Sequence, residues 1–167
     1  MLQRYTCQTC GLIHDDLPAV SFDAPTPYQG ATPEERAEEW RLDADLCVHN
    51  STDHYVRGVL SIPIIGSDRR LDFGAWSTLS ETNFHRYADA IEDPSKNPPG
   101  DMLGWFSNQI PGYPETMGQK CLVVPQSGER RPILELEPTD HPLAVQRISG
   151  VAMDAALEYL HRYLAWG

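Results

Sequence analysis

The sequence lacks several features that mark common protein classes. No apolar run approaches the roughly 20 residues that a membrane helix needs, and the first residues contain no apolar core of a signal peptide. Positive charge is scarce, with 13 Lys and Arg against 24 Asp and Glu and a net charge of −11. We therefore expect a cytoplasmic protein that binds neither membranes nor the phosphate backbone of nucleic acids.

The sequence motifs of common enzymes are also missing. The chain contains no G-x-S-x-G, no phosphate-binding loop, no G-x-G-x-x-G and no H-E-x-x-H. Ser77, Ser80 and Ser107 have no local context that would activate a hydroxyl as a nucleophile. Motifs therefore predict no reaction, and whether the chain is an enzyme stays open.

The length and the apolar content predict one folded domain. The chain has 167 residues, of which 41% are hydrophobic, enough for a core without disulfides. Periodicity and turn residues predict strands near 54–64, 71–79, 102–110, 119–125 and 131–137, and helices near 33–40, 80–92 and 151–165. Successive strands joined by short turns predict an α+β fold, an antiparallel sheet with two to three packed helices. We expect residues 51–167 to form this body, with an irregular, zinc-knuckle-like segment at 1–50 packed on it.

Three of the four cysteines predict a zinc site. Cys7-Gln8-Thr9-Cys10-Gly11 places two thiolates three residues apart in a tight turn, a spacing that grips one metal ion. Cys47 supplies a third sulfur, and either His14 or His49 supplies the fourth ligand that tetrahedral zinc needs. Alternatively, the C-x-x-C pair is two free thiols in a surface turn, or a redox pair.

The densest group of ionisable residues lies near the end of the last predicted strand. Alternation places Glu135 and Glu137 on one face, and Asp140 and His141 follow in a turn bounded by prolines. Such a group could bind a metal or transfer protons, although a solvated strand face followed by an Asx-type turn explains it more simply. Arg57 lies inside a predicted strand and needs a carboxylate partner, which one of these acids could provide. We interpret it first as a structural ion pair and second as an anion-binding residue.

Several sequence blocks occur in a recognisable order along nearly the whole chain. They are Cys7-x-x-Cys10-Gly11-x-x-His14, Asp45-Leu46-Cys47, 56–63, 73–80, Gly104-Trp105-Phe106-Ser107, Pro111-Gly112-Tyr113-Pro114 and 136–145. This order resembles an uncharacterised bacterial family, domain of unknown function 2199. The resemblance implies a bacterial, cytoplasmic, single-domain protein, and it favours His14 over His49 as the fourth ligand. The family usually has Val where Ala75 stands and a more acidic or glycine-rich stretch near 50–52.

Three functional hypotheses follow from these observations. The first is a zinc-stabilised binding protein, such as an immunity or inhibitor protein, whose acidity suits a basic protein partner. The second is a small metal-assisted hydrolase that uses Glu135, Glu137, Asp140 and His141. The third is a redox or regulatory module that uses Cys7 and Cys10. The sequence predicts no oligomeric state.

Overall fold

The computed structural model describes residues 5–6, 13–14, 17–93, 95–128 and 130–164. The strands are β1 (Tyr5–Thr6), β2 (Ile13–His14), β3 (Val20–Ser21), β4 (Trp40–Leu42), β5 (Leu46–His49), β6 (Asp53–Pro63), β7 (Arg70–Leu79), β8 (Met102–Trp105), β9 (Lys120–Val124) and β10 (Ile133–Leu136). The helices are α1 (Thr26–Gln29), α2 (Pro33–Glu39), α3 (Glu81–Glu92), α4 (Pro142–Ser149) and α5 (Met153–Tyr163). No helix among these residues is long and apolar enough to cross a membrane.

The body of the fold is a mixed sheet built around one long hairpin. Strands β6 and β7 pair antiparallel over ten residue pairs, from His54–Leu79 to Pro63–Arg70. The strand order is β3-β7-β6-β10-β9-β8, with β5 also pairing with β6 and β4 with β5. Two of the pairings, β10 with β6 and β3 with β7, are parallel.

The parallel pairings correct the expectation of a purely antiparallel sheet. Each predicted hairpin came from a local turn, and β6–β7 and β8–β9 are antiparallel as such turns require. Strand β10, however, reaches β6 only after α3, β8 and β9, and a long connection of this kind allows two strands to run in the same direction. The α+β class holds, but the sheet type was wrong.

The sheet curls so that its last strand returns to β7. An antiparallel bridge joins Ser77 to Phe106, just after β8. Gly104 permits this close approach, because a Cβ atom there would lie 2.1 Å from the backbone oxygen of Thr78. The curled sheet, α3, α4 and α5 enclose one core, to which the helices contribute buried residues such as Phe84, Leu143 and Leu160.

The described residues form five helices, where two to three were expected. Helix α3 starts as predicted, with the Ser80 hydroxyl accepting a hydrogen bond from the backbone N–H of Asn83. Helix α4 was missed, because His141-Pro142 was interpreted as a turn. Pro142 instead occupies the first helical turn, where its missing N–H costs nothing.

The segment 1–50, expected to be irregular and zinc-knuckle-like, is described at 5–6, 13–14 and 17–50, and these residues form five strands and two helices. Strands β1 and β2 pair antiparallel, with Tyr5 opposite His14. Cys7 and Cys10, in the connection between them, lie outside the described residues.

Candidate functional site

Strands β8, β9 and β10 present two very different faces. On the closed face, Cys121, Val123, Leu134 and Leu136 are at most 1% exposed. On the other side, which we call the open face, the outward side chains are Leu103, Trp105, Lys120, Leu122, Val124, Ile133 and Glu135. Its four largest apolar members, Leu103, Trp105, Leu122 and Ile133, remain between 37% and 51% exposed. Apolar surface is therefore presented to solvent by three neighbouring strands.

The strand register brings these side chains together. Leu103 pairs with Leu122, and Leu122 pairs with Glu135, so the three lie in one row across the sheet. Trp105 pairs with Lys120 in the adjacent row. Directly paired side chains on one face of a sheet are in contact distance, so Leu103 and Leu122 form an apolar centre, and the charged Lys120 and Glu135 lie directly beside the apolar side chains.

Two shallow grooves lie on the open face. One, of about 490 Å³, runs along β8–β10 and is bordered by charged residues, Lys120, Glu135, Glu137 and Arg147. The other, of about 390 Å³, continues towards β6 and β7 and shares Glu135 and Arg147 with the first. The apolar floor and the charged border make a surface that can recognise both the shape and the charge of a ligand.

Arg147 links helix α4 to this surface. Its Nη2 donates a hydrogen bond to the carbonyl oxygen of Leu136 over 3.1 Å. Its Nε is buried and has no hydrogen-bond partner among the described residues. The guanidinium is thereby held at the border of both grooves, where it can meet a polar group of a ligand.

The acidic cluster predicted as catalytic is only partly brought together. Glu135 and Glu137 border the same groove, and Asp140 lies in the exposed loop before α4. His141 caps α4: its Nδ1 accepts from the backbone N–H of Leu143 over 3.1 Å, and its Nε2 lies 3.2 Å from the carbonyl oxygen of Pro114. Because Nδ1 accepts, Nε2 must carry the proton and donate. Both ring nitrogens of His141 are therefore engaged in hydrogen bonds with backbone groups.

Arg57 does not pair with Glu135, Glu137 or Asp140, and this expectation was wrong. Its Nη2 lies 3.5 Å from a carboxylate oxygen of Asp23, and its Nη1 donates to the carbonyl oxygen of Ala44 over 3.3 Å. The guanidinium also lies over the Trp76 ring, 5.9 Å from its centre. Asp23 is 97% exposed, so this ion pair is weak, and the Trp76 ring adds a cation–π contact to the guanidinium.

Of the four residues predicted to bind zinc, the structure describes the side chain of Cys47 alone. Cys47 is buried in a small aromatic cluster with Trp40, Tyr55 and Trp76. Burial, with a smaller contribution from Asp43, raises the pKa of its thiol to about 12. A zinc ion at Cys47 would have to lower this pKa again, because a thiol that coordinates a metal ion is deprotonated.

His49, the alternative fourth ligand, lies on the same strand as Cys47. Its ring stacks on Trp40, with the ring centres 4.1 Å apart. Its nitrogens lie 3.2 Å from a carboxylate oxygen of Glu39 and 3.4 Å from one of Asp53. His49 is therefore already held between two carboxylates on the protein surface.

The other described cysteine, Cys121, is equally inaccessible. It is buried on the closed face, with its sulfur 3.1 Å from the hydroxyl oxygen of Ser77. Burial raises its pKa to about 11, so it carries little thiolate at neutral pH. The redox hypothesis therefore depends on Cys7 and Cys10, which lie outside the described residues.

Sequence reasoning missed the open face. Adjacent residues here differ sharply in exposure, since Trp105 is 51% and Phe106 is 1% exposed. The signal was the unbroken apolar run in β8 and β9, as in Cys121-Leu122-Val123-Val124. Such a run places apolar side chains on both faces of a strand.

The profile of a protein family described as an uncharacterised protein conserved in bacteria, DUF2199, matches residues 6–151. No curated protein matches the chain significantly. No solved structure does so either.

Proposed function

The chain belongs to the bacterial family DUF2199, and we propose that it is a protein-binding domain whose open face docks a basic partner protein. The observation that carries this proposal is the exposure of Leu103, Trp105, Leu122 and Ile133 side by side on three strands. Contiguous exposed apolar surface with a polar border is typical of protein interaction sites.

The composition of the open face favours a protein over a small molecule. Trp and Arg are enriched among residues that dominate binding energy in protein interfaces, and the face offers Trp105 in one row and Arg147 at its border. The surface is a strand face with shallow grooves, whereas small-molecule sites are concave and enclose most of the ligand. An apolar segment of a protein can lie along Leu103 and Leu122, with its polar groups at the charged border.

The charge of the chain favours a basic partner over a second copy. Each chain carries a net charge of −11, so two copies repel each other, whereas a basic protein is attracted and steered towards the surface. Glu135 and Glu137 border the apolar groove and can pair with Lys or Arg of the partner. The binding should therefore weaken as salt is added.

The proposal is tested by selecting peptides that need the open face. The full-length protein is used to select from a displayed library of random peptides, and clones that also bind Leu122→Gln are removed. Ile148→Gln is the matched control, because Ile148 is 57% exposed but lies on α4. We expect the remaining peptides to combine Lys or Arg with apolar residues and to bind Ile148→Gln as they bind the native protein.

Three outcomes would overturn this proposal. The first is that the two variants lose the same peptides, and the second is that the selected peptides are acidic. The third is a concentration-dependent dimer in sedimentation experiments that Leu122→Gln abolishes, since the open face would then hold a second copy.

We further propose that a structural zinc ion held by Cys7, Cys10 and Cys47, with His14 as fourth ligand and His49 as the alternative, ties the N-terminal segment to the body. Cys47 supports this role because it lies in a described strand that pairs with β6 of the central hairpin. Elemental analysis of protein purified without added metal should find zinc, and Cys10→Ser should contain about one zinc per chain less than the native protein and have lower thermal stability. Equal zinc contents in the two proteins, or a metal-free native protein, would contradict this part of the proposal.

A further inference from the structure

We propose a second metal site, for a divalent transition-metal ion, formed by His54, Glu81 and His85. His54 is the second residue of β6, and the other two occupy the first two turns of α3. One ligand atom of each residue lies within 4.8 Å of those of the other two. The site involves neither the open face nor the cysteines.

The backbone brings these three residues together for simple reasons. Glu81 and His85 are four residues apart on a helix, so their side chains share a face. His54 pairs with Leu79, the last residue of β7, and α3 begins two residues later. The hairpin thus holds the imidazole of His54 against the start of the helix, where its ring centre is 5.8 Å from that of His85.

The buried His54 distinguishes this cluster from an ordinary surface ion pair. Glu81 and His85 alone, 70% and 62% exposed with 3.8 Å between Oε1 and Nε2, would be a weak helical pair. His54, in contrast, is 4% exposed, and its Nδ1 is buried with no hydrogen-bond partner among the described residues. Leaving a buried polar group unpaired is costly. A buried imidazole with a ligand atom within 4.8 Å of those of an exposed His–Glu pair has a chemical reason if it shares a metal ion with them.

The ligand types indicate which ion the site would take. Two imidazoles and one carboxylate suit Zn²⁺, Fe²⁺, Ni²⁺ or Cu²⁺, whereas Ca²⁺ and Mg²⁺ prefer oxygen ligands alone. Ligand atoms around one tetrahedral zinc lie about 3.4 Å apart, given Zn–N bonds of about 2.0–2.1 Å. The ligand atoms, which lie within 4.8 Å of one another, must therefore approach each other by up to about 1.4 Å. The exposed side chains of Glu81 and His85 can make this movement. With three protein ligands, at least one position remains for water or another molecule.

The site is tested by titrating the full-length, chelator-treated protein with Co²⁺ and with Zn²⁺. We expect one ion per chain that does not require Cys10, so it should persist in Cys10→Ser. Cobalt held by imidazole and carboxylate shows weak visible bands without the strong near-ultraviolet thiolate absorption that a cysteine site produces. Zinc should also shift the imidazole NMR signals of His54 and His85.

Exposed positions provide variants that keep the fold. Glu81→Gln and His85→Ala should each weaken Co²⁺ binding about tenfold or more, since each removes one of three ligands. Glu92→Gln, which also changes an exposed acid on α3 but lies about two turns beyond His85, should leave binding unchanged. The absence of binding in Cys10→Ser, or equal affinities for Glu81→Gln, His85→Ala and Glu92→Gln, would overturn the proposal.

Discussion

The two faces of β8, β9 and β10 belong to the same strands but differ in their exposure to solvent. Leu134 on the closed face is 0% exposed, whereas Leu122, on the neighbouring strand and the open face, is 39% exposed. The closed face is sealed by the curled sheet and the helices that share its core. The open face carries comparable apolar side chains with no such cover among the described residues. Burial in the core explains the apolar side chains of the closed face, and we propose that binding of a partner explains those of the open face.

The largest expected loss of stability comes from a cavity made in the core behind the closed face. Leu134→Ala should lower the free energy of unfolding by about 2–5 kcal/mol, because buried leucines leave cavities that the core fills poorly. Leu122→Ala removes the same atoms from the open face and should cost less than about 1 kcal/mol. Urea denaturation of both variants measures the difference, and equal losses would show that the open face is part of the core.

The next effect concerns the point where the sheet returns to β7. Gly104→Ala should destabilise the protein by about 1–3 kcal/mol or more, since the added methyl group would collide with the backbone of Thr78 and the Ser77 hydroxyl. Gly100→Ala, where a Cβ meets nothing within 4 Å, is the matched control. Thermal denaturation should separate the two variants clearly. Similar melting temperatures would mean that β8 does not approach β7 this closely.

Alkaline pH should lower the stability of the protein by ionising tyrosines that pack in or against the core. Burial raises the pKa of both Tyr87 and Tyr113 from 10.0 to about 12. Between these values the folded state holds more protons than the unfolded state, so stability falls as pH rises. The contribution is complete below pH 10 and is lost by about pH 12. Urea denaturation from pH 9 to 12 should show this decline, and Tyr87→Phe should reduce its slope; an unchanged slope would place the titrating groups elsewhere.

The smallest effect on stability is expected at Trp105. Trp105→Phe should change the free energy of unfolding by about 0.5 kcal/mol or less, because the side chain is half exposed. In a Trp166→Phe background, used because Trp166 lies outside the described residues, the same substitution should remove most of the tryptophan fluorescence that iodide quenches, since Trp40 and Trp76 are at most 5% exposed. Undiminished quenching in the variant would contradict the exposure of this residue.

Local features of the fold were predictable from the sequence, whereas pairings between distant segments were not. Helix α3 was expected at 80–92 and spans Glu81–Glu92, because Ser80 caps it and its apolar residues recur with helical spacing. The parallel pairing of Ile133 with Val59 joins segments more than 70 residues apart, and no local turn residue encodes it. The sequence also could not show that His141 would cap a helix, since that function depends on where α4 starts.

The candidate site was hidden for a related reason. Leu122 and Val123 are adjacent apolar residues, and the sequence alone does not say which face of a strand the core will cover. Likewise, His54 and His85 lie 31 positions apart, and only the pairing of β6 with β7 brings them together. In both cases the chemistry of the residues was visible, but their neighbours were not.

The most direct test of the central claim uses a basic peptide selected on the native protein alone, without removal of clones that bind Leu122→Gln, and titrates it calorimetrically into the native protein, Leu122→Gln and Ile148→Gln. If the open face is the docking surface, Leu122→Gln should weaken binding about tenfold or more, while Ile148→Gln stays within about twofold. Added salt should weaken the native interaction as well. Equal affinities for the two variants would contradict the assignment of the open face as the binding surface.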